Sequence, residues 1–374
     1  AANITLSKDG KFGMNASQPI HTDVDELTVT TSAGGNQFIS EANGLTGLNL
    51  TANQGNNNID LVAGGAIDDD DGSGILDLFG DEVSVNITGD LGTQNNQIRI
   101  NANDLTVDTS GGNQFLRIPR GDTAMNLNSS DGDILVRAED IDLTTSGSID
   151  AGTGNITLQN ANANTTIGIG TGATGDFHLD TSELTTKLTS SGIVTIGRGN
   201  GAIEINSDTA ALDLSGESFS LSVSGGNLTF KKPLILPNDG TLTLNTGSVT
   251  DMATNSAIRI GGNDGTLVLN TSGAVGTENN PLTTAIGRLT ADSTNNIFIS
   301  NNRALDLGTS DIQGTLDVIA SGAITNSGAL NVTGNASFET TLANAGNVSI
   351  TNSNSDGTEI GDSLIGGNFT LNST

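Results

Sequence analysis

Leu27-Thr28-Val29, followed by Thr31-Ser32-Ala33-Gly34-Gly35-Asn36-Gln37-Phe38, returns downstream as Leu105-Thr106-Val107 followed by Thr109-Ser110-Gly111-Gly112-Asn113-Gln114-Phe115. The offset is 78 residues at the leucine and 77 at the phenylalanine. A fainter copy, Leu289-Thr290-Ala291 running on to Asn295-Asn296-Ile297-Phe298-Ile299-Ser300, lies 184 residues beyond the second leucine. Gly92-Thr93-Gln94-Asn95-Asn96 keeps that distance and recurs as Gly276-Thr277-Glu278-Asn279-Asn280. Read as about four and about nine multiples, the offsets give a unit of roughly 20 residues, as in a solenoid whose coils stack.

Around these phrases the aliphatic residues come in short alternating runs, among them Ile98-Arg99-Ile100, Ile134-Leu135-Val136, Ile156-Thr157-Leu158 and Leu212-Asp213-Leu214. Period-two alternation sets the flanking residues on one face and the middle residue on the other. The runs are too short for amphipathic helices, and two-residue hairpin signals are scarce. Corners such as Gly154-Asn155, Ser191-Gly192, Asp239-Gly240 and Ser321-Gly322 separate them. Strand and corner in alternation predict an all-β chain, a right-handed parallel β-helix (β-solenoid) with about 20 residues per rung. Each strand would pair with its equivalent one rung away, at about 4.8 Å, over roughly 18 rungs. A left-handed hexapeptide solenoid would need a strict six-residue aliphatic beat, which Ile134, Ile156 and Phe177 do not keep. Residues 1–374 read as one continuous shaft that opens and closes in mid-pattern, a segment of a longer chain or filament.

The composition agrees. Fifty Gly and only five Pro in 374 residues favour tight corners over helices. Leu, Ile, Val and Phe still make up about a quarter of the chain, enough for collapse despite the charge. The absence of Cys excludes disulfides and thiolate metal sites. A net charge of −29 sets nucleic acid and anionic membranes aside as partners, since like charges repel on approach. No apolar run reaches the roughly 18 residues of a transmembrane segment.

Phrases such as Gly276-Thr277-Glu278-Asn279-Asn280-Pro281-Leu282, Gly35-Asn36-Gln37-Phe38-Ile39-Ser40-Glu41-Ala42-Asn43-Gly44-Leu45, Asn58-Ile59-Asp60-Leu61 and Gly64-Gly65-Ala66-Ile67 resemble the repeats of filamentous-haemagglutinin-like large exoproteins. These are adhesins of Gram-negative bacteria exported by two-partner secretion. The resemblance lies in idiom and period over most of the chain. It implies a fibrous shaft at the outer cell surface or in the extracellular space. The family's amino-terminal secretion domain, with its Asn-Pro-Asn signatures, is not in this sequence.

Four features compete as sites. Arg120-Gly121-Asp122 spells the integrin tripeptide, which must project on a loop to be recognised; a solvated corner is the favoured reading. Asp68-Asp69-Asp70-Asp71-Gly72-Ser73-Gly74, with Asp77, Asp81 and Glu82 beyond, is the densest acidic run. Its spacing fails the EF-hand register, because Gly72 in the sixth place puts Ile67 first and Leu78 twelfth. A solvated loop is favoured there, with Ca2+ as the one cofactor weighed. His21 and His178 show no sign of converging on a metal or a nucleophile. Asn-x-Ser/Thr triplets, such as Asn3-Ile4-Thr5, Asn86-Ile87-Thr88, Asn155-Ile156-Thr157 and Asn331-Val332-Thr333, are as frequent as the composition demands.

No catalytic, cofactor-binding or metal residue is therefore singled out. The expectation is a structural or adhesive shaft of a bacterial surface filament, serving adhesion or biofilm cohesion. A self-assembling matrix or sheath subunit is the alternative, and a β-helix enzyme acting on polysaccharide the remote one. The last lacks the Trp and Tyr platforms that sugar rings stack on. Partners expected are neighbouring solenoid segments end to end, with a host-cell receptor or a polysaccharide beyond them.

Overall fold

In a computed structural model, residues 2–32, 35–52, 56–69, 76–143, 147–253, 255–341, 347–350 and 364–373 are described. The alternating runs are strands, paired almost wholly in parallel, and the chain is a β-solenoid of about 15 turns with about 22 residues per turn. One short helix, Thr181–Thr186, occurs among the described residues. The chain divides into two compact units, Ala1–Asn162 with Ser182–Thr195, and Ala163–Thr181 with Ile196–Thr374.

In the first unit each turn has two main strands. One sheet stacks Asn3–Asp9, Glu26–Ser32, Gly47–Ala52, Leu78–Phe79, Ile98–Asn101, Gln114–Ile118, Ile134–Ala138 and Ile156–Asn160. The other stacks Ile20–Thr22, Gln37–Glu41, Ile59–Ala63, Glu82–Ile87, Asp104–Asp108, Ala124–Asn128, Ser148–Gly152 and Leu188–Ser190. The two copies of the opening phrase therefore lie on opposite sheets. Leu27 sits in the first and Leu105, seven strands later, in the second. The 78-residue offset spans three and a half turns, not four. This corrects the unit of roughly 20 residues to about 22. The real repeat is half a turn, a strand and its corner, so equivalent phrases can fall on either side of the coil.

The aliphatic ladders follow the alternation. Ile98, Ile100, Val136, Ile156, Leu158, Leu212 and Leu214 are wholly buried and Ile134 nearly so, while Arg99, Thr157 and Asp213 face outward. Ile156 pairs with Ile134 one turn back and Leu158 with Val136, so like stacks on like. Each such side chain contributes about 1.5–3 kcal/mol of apolar burial. Leu135 faces outward in the same alternation yet is almost covered, beside its register neighbour Phe115.

Corners are held by two columns side by side. Gly112, Gly132 and Gly154 stack so closely that an added Cβ would strike the carbonyl oxygen of Gly89, Gly112 and Gly132 respectively. The next residue in each corner bonds the turn above. Asp90 Oδ1 accepts from Asn113 N, Asn113 Oδ1 from Asp133 N, and Asp133 Oδ1 from Asn155 N, each at 2.8 Å. Asn155 Oδ1 then accepts from Ile193 N at 2.9 Å. Gly-Asn and Gly-Asp dipeptides are thus required here by close approach and by an unmet backbone donor.

The repeated Gly-Thr-x-Asn-Asn phrase is a small excursion. Thr93 and Asn96 exchange backbone hydrogen bonds at 2.7 and 3.1 Å, and Thr277 and Asn280 do so at 2.9 and 3.1 Å. Gly92 and Gly276 precede them with φ of 74° and 60°, where an L side chain is strained.

The second unit adds a third strand to the turn, for example Thr241–Thr246, Val249–Asp251 and Ile258–Ile260. Thr241–Thr246 pairs in full register with Thr266–Thr271, and that strand with Arg288–Ser293. Phe338 lies fully buried, with its ring 5.9 Å from that of Phe369.

Candidate functional site

The integrin-type tripeptide lies in the corner between Gln114–Ile118 and Ala124–Asn128. Arg120 closes on Asp122 in a bidentate pair, Nε to Oδ1 and Nη2 to Oδ2, both at 2.9 Å. That hydrogen bond holds the Asp122 carboxyl below the usual range and raises Arg120. Gly121 packs against Asp140, where a Cβ would come within 3.0 Å of the Asp140 Cβ. The groups an integrin would need are engaged with one another, in a solvent-exposed corner.

In the acidic run, Asp70–Gly74 lie outside the described residues. Of the described carboxylates, Asp69 and Asp77 serve the backbone, and Asp68 and Asp81 serve asparagine side chains. Asp69, 5% exposed, accepts from Leu48 N at 3.1 Å, and Asp77, 3% exposed, accepts from Arg99 N at 2.7 Å. Asp68 Oδ1 accepts from Asn96 Nδ2 at 3.2 Å, and Asp81 Oδ1 from Asn103 Nδ2. They cap different turns of the coil, each on its own donor. Among the described residues no group of three or more His, Asp or Glu side chains is placed to hold a metal ion.

His21 is exposed on Ile20–Thr22. His178 is half-buried on Phe177–Leu179, with Nε2 3.2 Å from the Gly170 carbonyl and Nδ1 3.9 Å from Asp180. Of the Asn-x-Ser/Thr amides, Asn155 Nδ2 donates to Asp133 at 3.0 Å, Asn3 Nδ2 to Glu26 at 2.6 Å and Asn331 Nδ2 to Asp311 at 3.1 Å. Asn86 is exposed on Glu82–Ile87.

Two arrangements escape sequence reasoning. The first is a polar lining of the interior. Gln37 and Gln114, the repeated glutamines, point inward and are fully buried while Phe38 and Phe115 point outward. Gln37 Nε2 donates to Val29 O at 3.1 Å and Thr51 O at 2.9 Å, and Gln114 Nε2 to Asn128 O at 2.8 Å. Glu41 Oε1 caps Val24 N at 3.2 Å, Glu183 Oε1 caps Leu143 N at 2.6 Å, and Asn301 braces both backbone groups of Ile286. The available signal was the phase of the alternation. Ile39 and Leu116 demand the inside, which sends their neighbours Phe38 and Phe115 out and brings the glutamines in.

The second is a column of arginines on the outer face of the first unit. Arg99 pairs in register with Arg117, and Arg117 with Arg137. Three guanidinium groups thus stand on successive turns, about 4.8 Å apart at the backbone. Arg137 is steadied by Gln159 Oε1, which accepts from Nη2 at 2.9 Å and occupies the next register position. Phe115 and Leu135 form the column alongside, in a shallow groove that includes Thr157 and the exposed Ile193.

In the second unit the charged groups pair locally. Lys231 Nζ lies 2.7 Å from Glu204 Oε2. Burial raises Glu204, but hydrogen bonds from Lys231, Thr174 and Asn206 outweigh it and leave its carboxyl below the usual range. Arg288 pairs with Asp306 at 3.0 Å. Asp317 is pushed up, by burial first and then by the charges of Glu278 and Glu339.

A repeat family described as "Repeats of unknown function (DUF5649)" matches residues 294–353. That stretch contains the stacked strands Ile297–Asn301, Leu316–Ala320 and Ala336–Thr340. The chain is a repeat protein. No match was found among curated proteins or among solved structures. Among the described residues, no helix is long and apolar enough to cross a membrane.

Proposed function

We propose that this chain is a non-enzymatic segment of an extracellular or cell-surface bacterial filament, a shaft that serves adhesion or cohesion in the manner of filamentous-haemagglutinin-like exoproteins. The observation that carries the reading is the use made of the polar side chains. Asp69, Asp77, Glu41, Glu183 and the Asp90–Asn113–Asp133–Asn155 corner column are committed to backbone donors of their own or a neighbouring turn. Chemistry that could bind or react is spent on holding one turn to the next. Such a fold gains length with each turn at nearly constant local cost, because each turn contacts only its neighbours. The strongly acidic surface keeps long bodies apart in solution.

Fractionation of the native source cells, with immuno-electron microscopy, tests the reading. The protein is expected in the surface or secreted fraction, on fibrous material. A soluble cytoplasmic monomer that turns over a polysaccharide would overturn it. Filaments formed by the purified chain without cells would identify a self-assembling sheath subunit rather than a passive shaft.

A further inference from the structure

We propose that the corner following Gln37–Glu41 binds a monovalent metal cation inside the coil, held by Glu41 Oε2 and Thr22 Oγ1 together with backbone carbonyls of that corner. The inference does not depend on the shaft reading; it concerns how one turn of the first unit is locked.

It comes from two corners that the sequence builds alike. Gln37-Phe38-Ile39-Ser40-Glu41-Ala42-Asn43-Gly44-Leu45 corresponds to Ile297-Phe298-Ile299-Ser300-Asn301-Asn302-Arg303-Ala304-Leu305. In each, the fifth residue stacks inward between a threonine one turn back and an alanine one turn on. These are Thr22, Glu41 and Ala63 in the first unit, and Thr284, Asn301 and Ala320 in the second. The backbone follows the same path. Ala42 N donates to Thr22 O at 3.0 Å, as Asn302 N does to Thr284 O at 2.7 Å. Leu45 N donates to Ala66 O at 3.0 Å, as Leu305 N does to Ala323 O at 2.8 Å.

The two side chains differ in what they can give. Asn301 Oδ1 accepts from Ile286 N at 3.0 Å and from Thr284 Oγ1 at 2.9 Å. Its Nδ2 donates to the carbonyls of Ile286, Arg303 and Ala304 at 3.1, 3.0 and 3.3 Å. Glu41 Oε1 takes over the accepting role, from Val24 N at 3.2 Å, and adds Ala42 N at 3.0 Å and Asn43 N at 3.3 Å. The donating role is left open, because a carboxylate has no proton to give. Glu41 Oε2 and Thr22 Oγ1 are both buried without a hydrogen-bond partner, on residues that are 2% and 7% exposed. The carbonyls equivalent to those that Asn301 serves belong to Val24, Asn43 and Gly44. Oxygens alone face this corner, so its guest has to be positive or has to donate.

Charge separates a cation from a water. A water could bridge the same oxygens, but it would leave a carboxylate charge inside the coil. Among the described residues no Lys, Arg or His pairs with Glu41, and the nearby Asp23 adds negative charge. A single positive charge beside Glu41 restores the neutrality that the Asn301 amide has by itself. Ca2+ takes roughly six to eight oxygens and would leave a surplus charge beside one carboxylate.

Sodium and potassium share this chemistry, and the test distinguishes them. Thermal unfolding of the full chain is followed by circular dichroism while choline chloride is replaced by sodium or potassium chloride at constant ionic strength, which holds general screening of the acidic surface fixed. The parent's midpoint should rise by about 1–3 °C for each tenfold increase of the preferred cation above its dissociation constant. Glu41→Gln, which regains a donor, should fold in choline and lose this rise. Asp104→Asn, which removes an exposed carboxylate, should keep it. A rise of equal size in Glu41→Gln overturns the proposal, as does a parent that does not distinguish either metal from choline. If Glu41→Gln does not fold, crystals of the parent decide. A site beside Glu41 Oε2 that scatters anomalously when thallium(I) replaces potassium, or that refines as sodium from a sodium salt, supports the cation; an ordered water there in both overturns it.

Discussion

Ile156 offers the sharpest check on the core. It is fully buried, stacked under Ile134 in a parallel ladder, with Thr157 facing outward beside it. Truncation to Ala removes three buried carbons at about 0.8 kcal/mol each. The space left cannot close readily, because the strand is pinned by its ladder hydrogen bonds to Ile134–Ala138, so a cavity term brings the loss to about 3–4 kcal/mol. Ile156→Asp should cost more at neutral pH, since a carboxylate there would have no partner in an apolar column. Its folded-state pKa would be raised, so the penalty is full above that raised value and shrinks as pH falls from it towards the ordinary aspartate range and the proton is taken up. Thr157→Asp should stay within about 0.5 kcal/mol. Urea denaturation followed by far-UV circular dichroism measures all three, and the Ala variant controls for the general effect of pH on so acidic a chain. Equal sensitivity at 156 and 157, or an Asp penalty that does not diminish in acid relative to the Ala variant, would refute the assigned inward face.

Gly132→Ala should destabilise by more than about 1 kcal/mol, because its Cβ would meet the Gly112 carbonyl with no side chain to yield; thermal unfolding reads this. Asp317→Asn should stabilise the chain at neutral pH. The raised carboxyl of Asp317 is costly to ionise in the fold, and the gain should vanish as pH falls and the parent's carboxyl becomes protonated. Lys231→Met should destabilise at pH 7, where the lowered Glu204 is ionised and paired; the difference should shrink as pH falls below the ordinary glutamate range, seen in denaturation midpoints across a pH series.

Local pattern was enough to read much of the fold. The flanking residues of Ile98-Arg99-Ile100 and Ile156-Thr157-Leu158 had to share one face because the strand has a period of two, and one buried face with tight corners leads to a stacked parallel coil. Gly154-Asn155 could be identified as a corner from its residue types. What such a corner does was not legible, because Gly154 answers to the Gly132 carbonyl and Asn155 to the Ile193 backbone.

The repeated phrase shows where local reading stops. Sequence alone establishes that Leu27 and Leu105 begin equivalent segments; only the closed coil places them on opposite sheets, three and a half turns apart. The number of residues needed to return to the same sheet depends on how far each corner bends and on excursions such as Thr93–Asn96. Both are properties of a closed path and not of any one stretch. For the same reason Arg99, Arg117 and Arg137 have no visible relation in the chain and become neighbours only through register. Gln114 turns inward and Phe115 outward against their own hydrophobicity, because Leu116 and Ile118 in the same strand are committed to the core. Period and corner chemistry are local and were written in the sequence. Register and closure are long-range, and the tertiary structure alone decided which side chains meet.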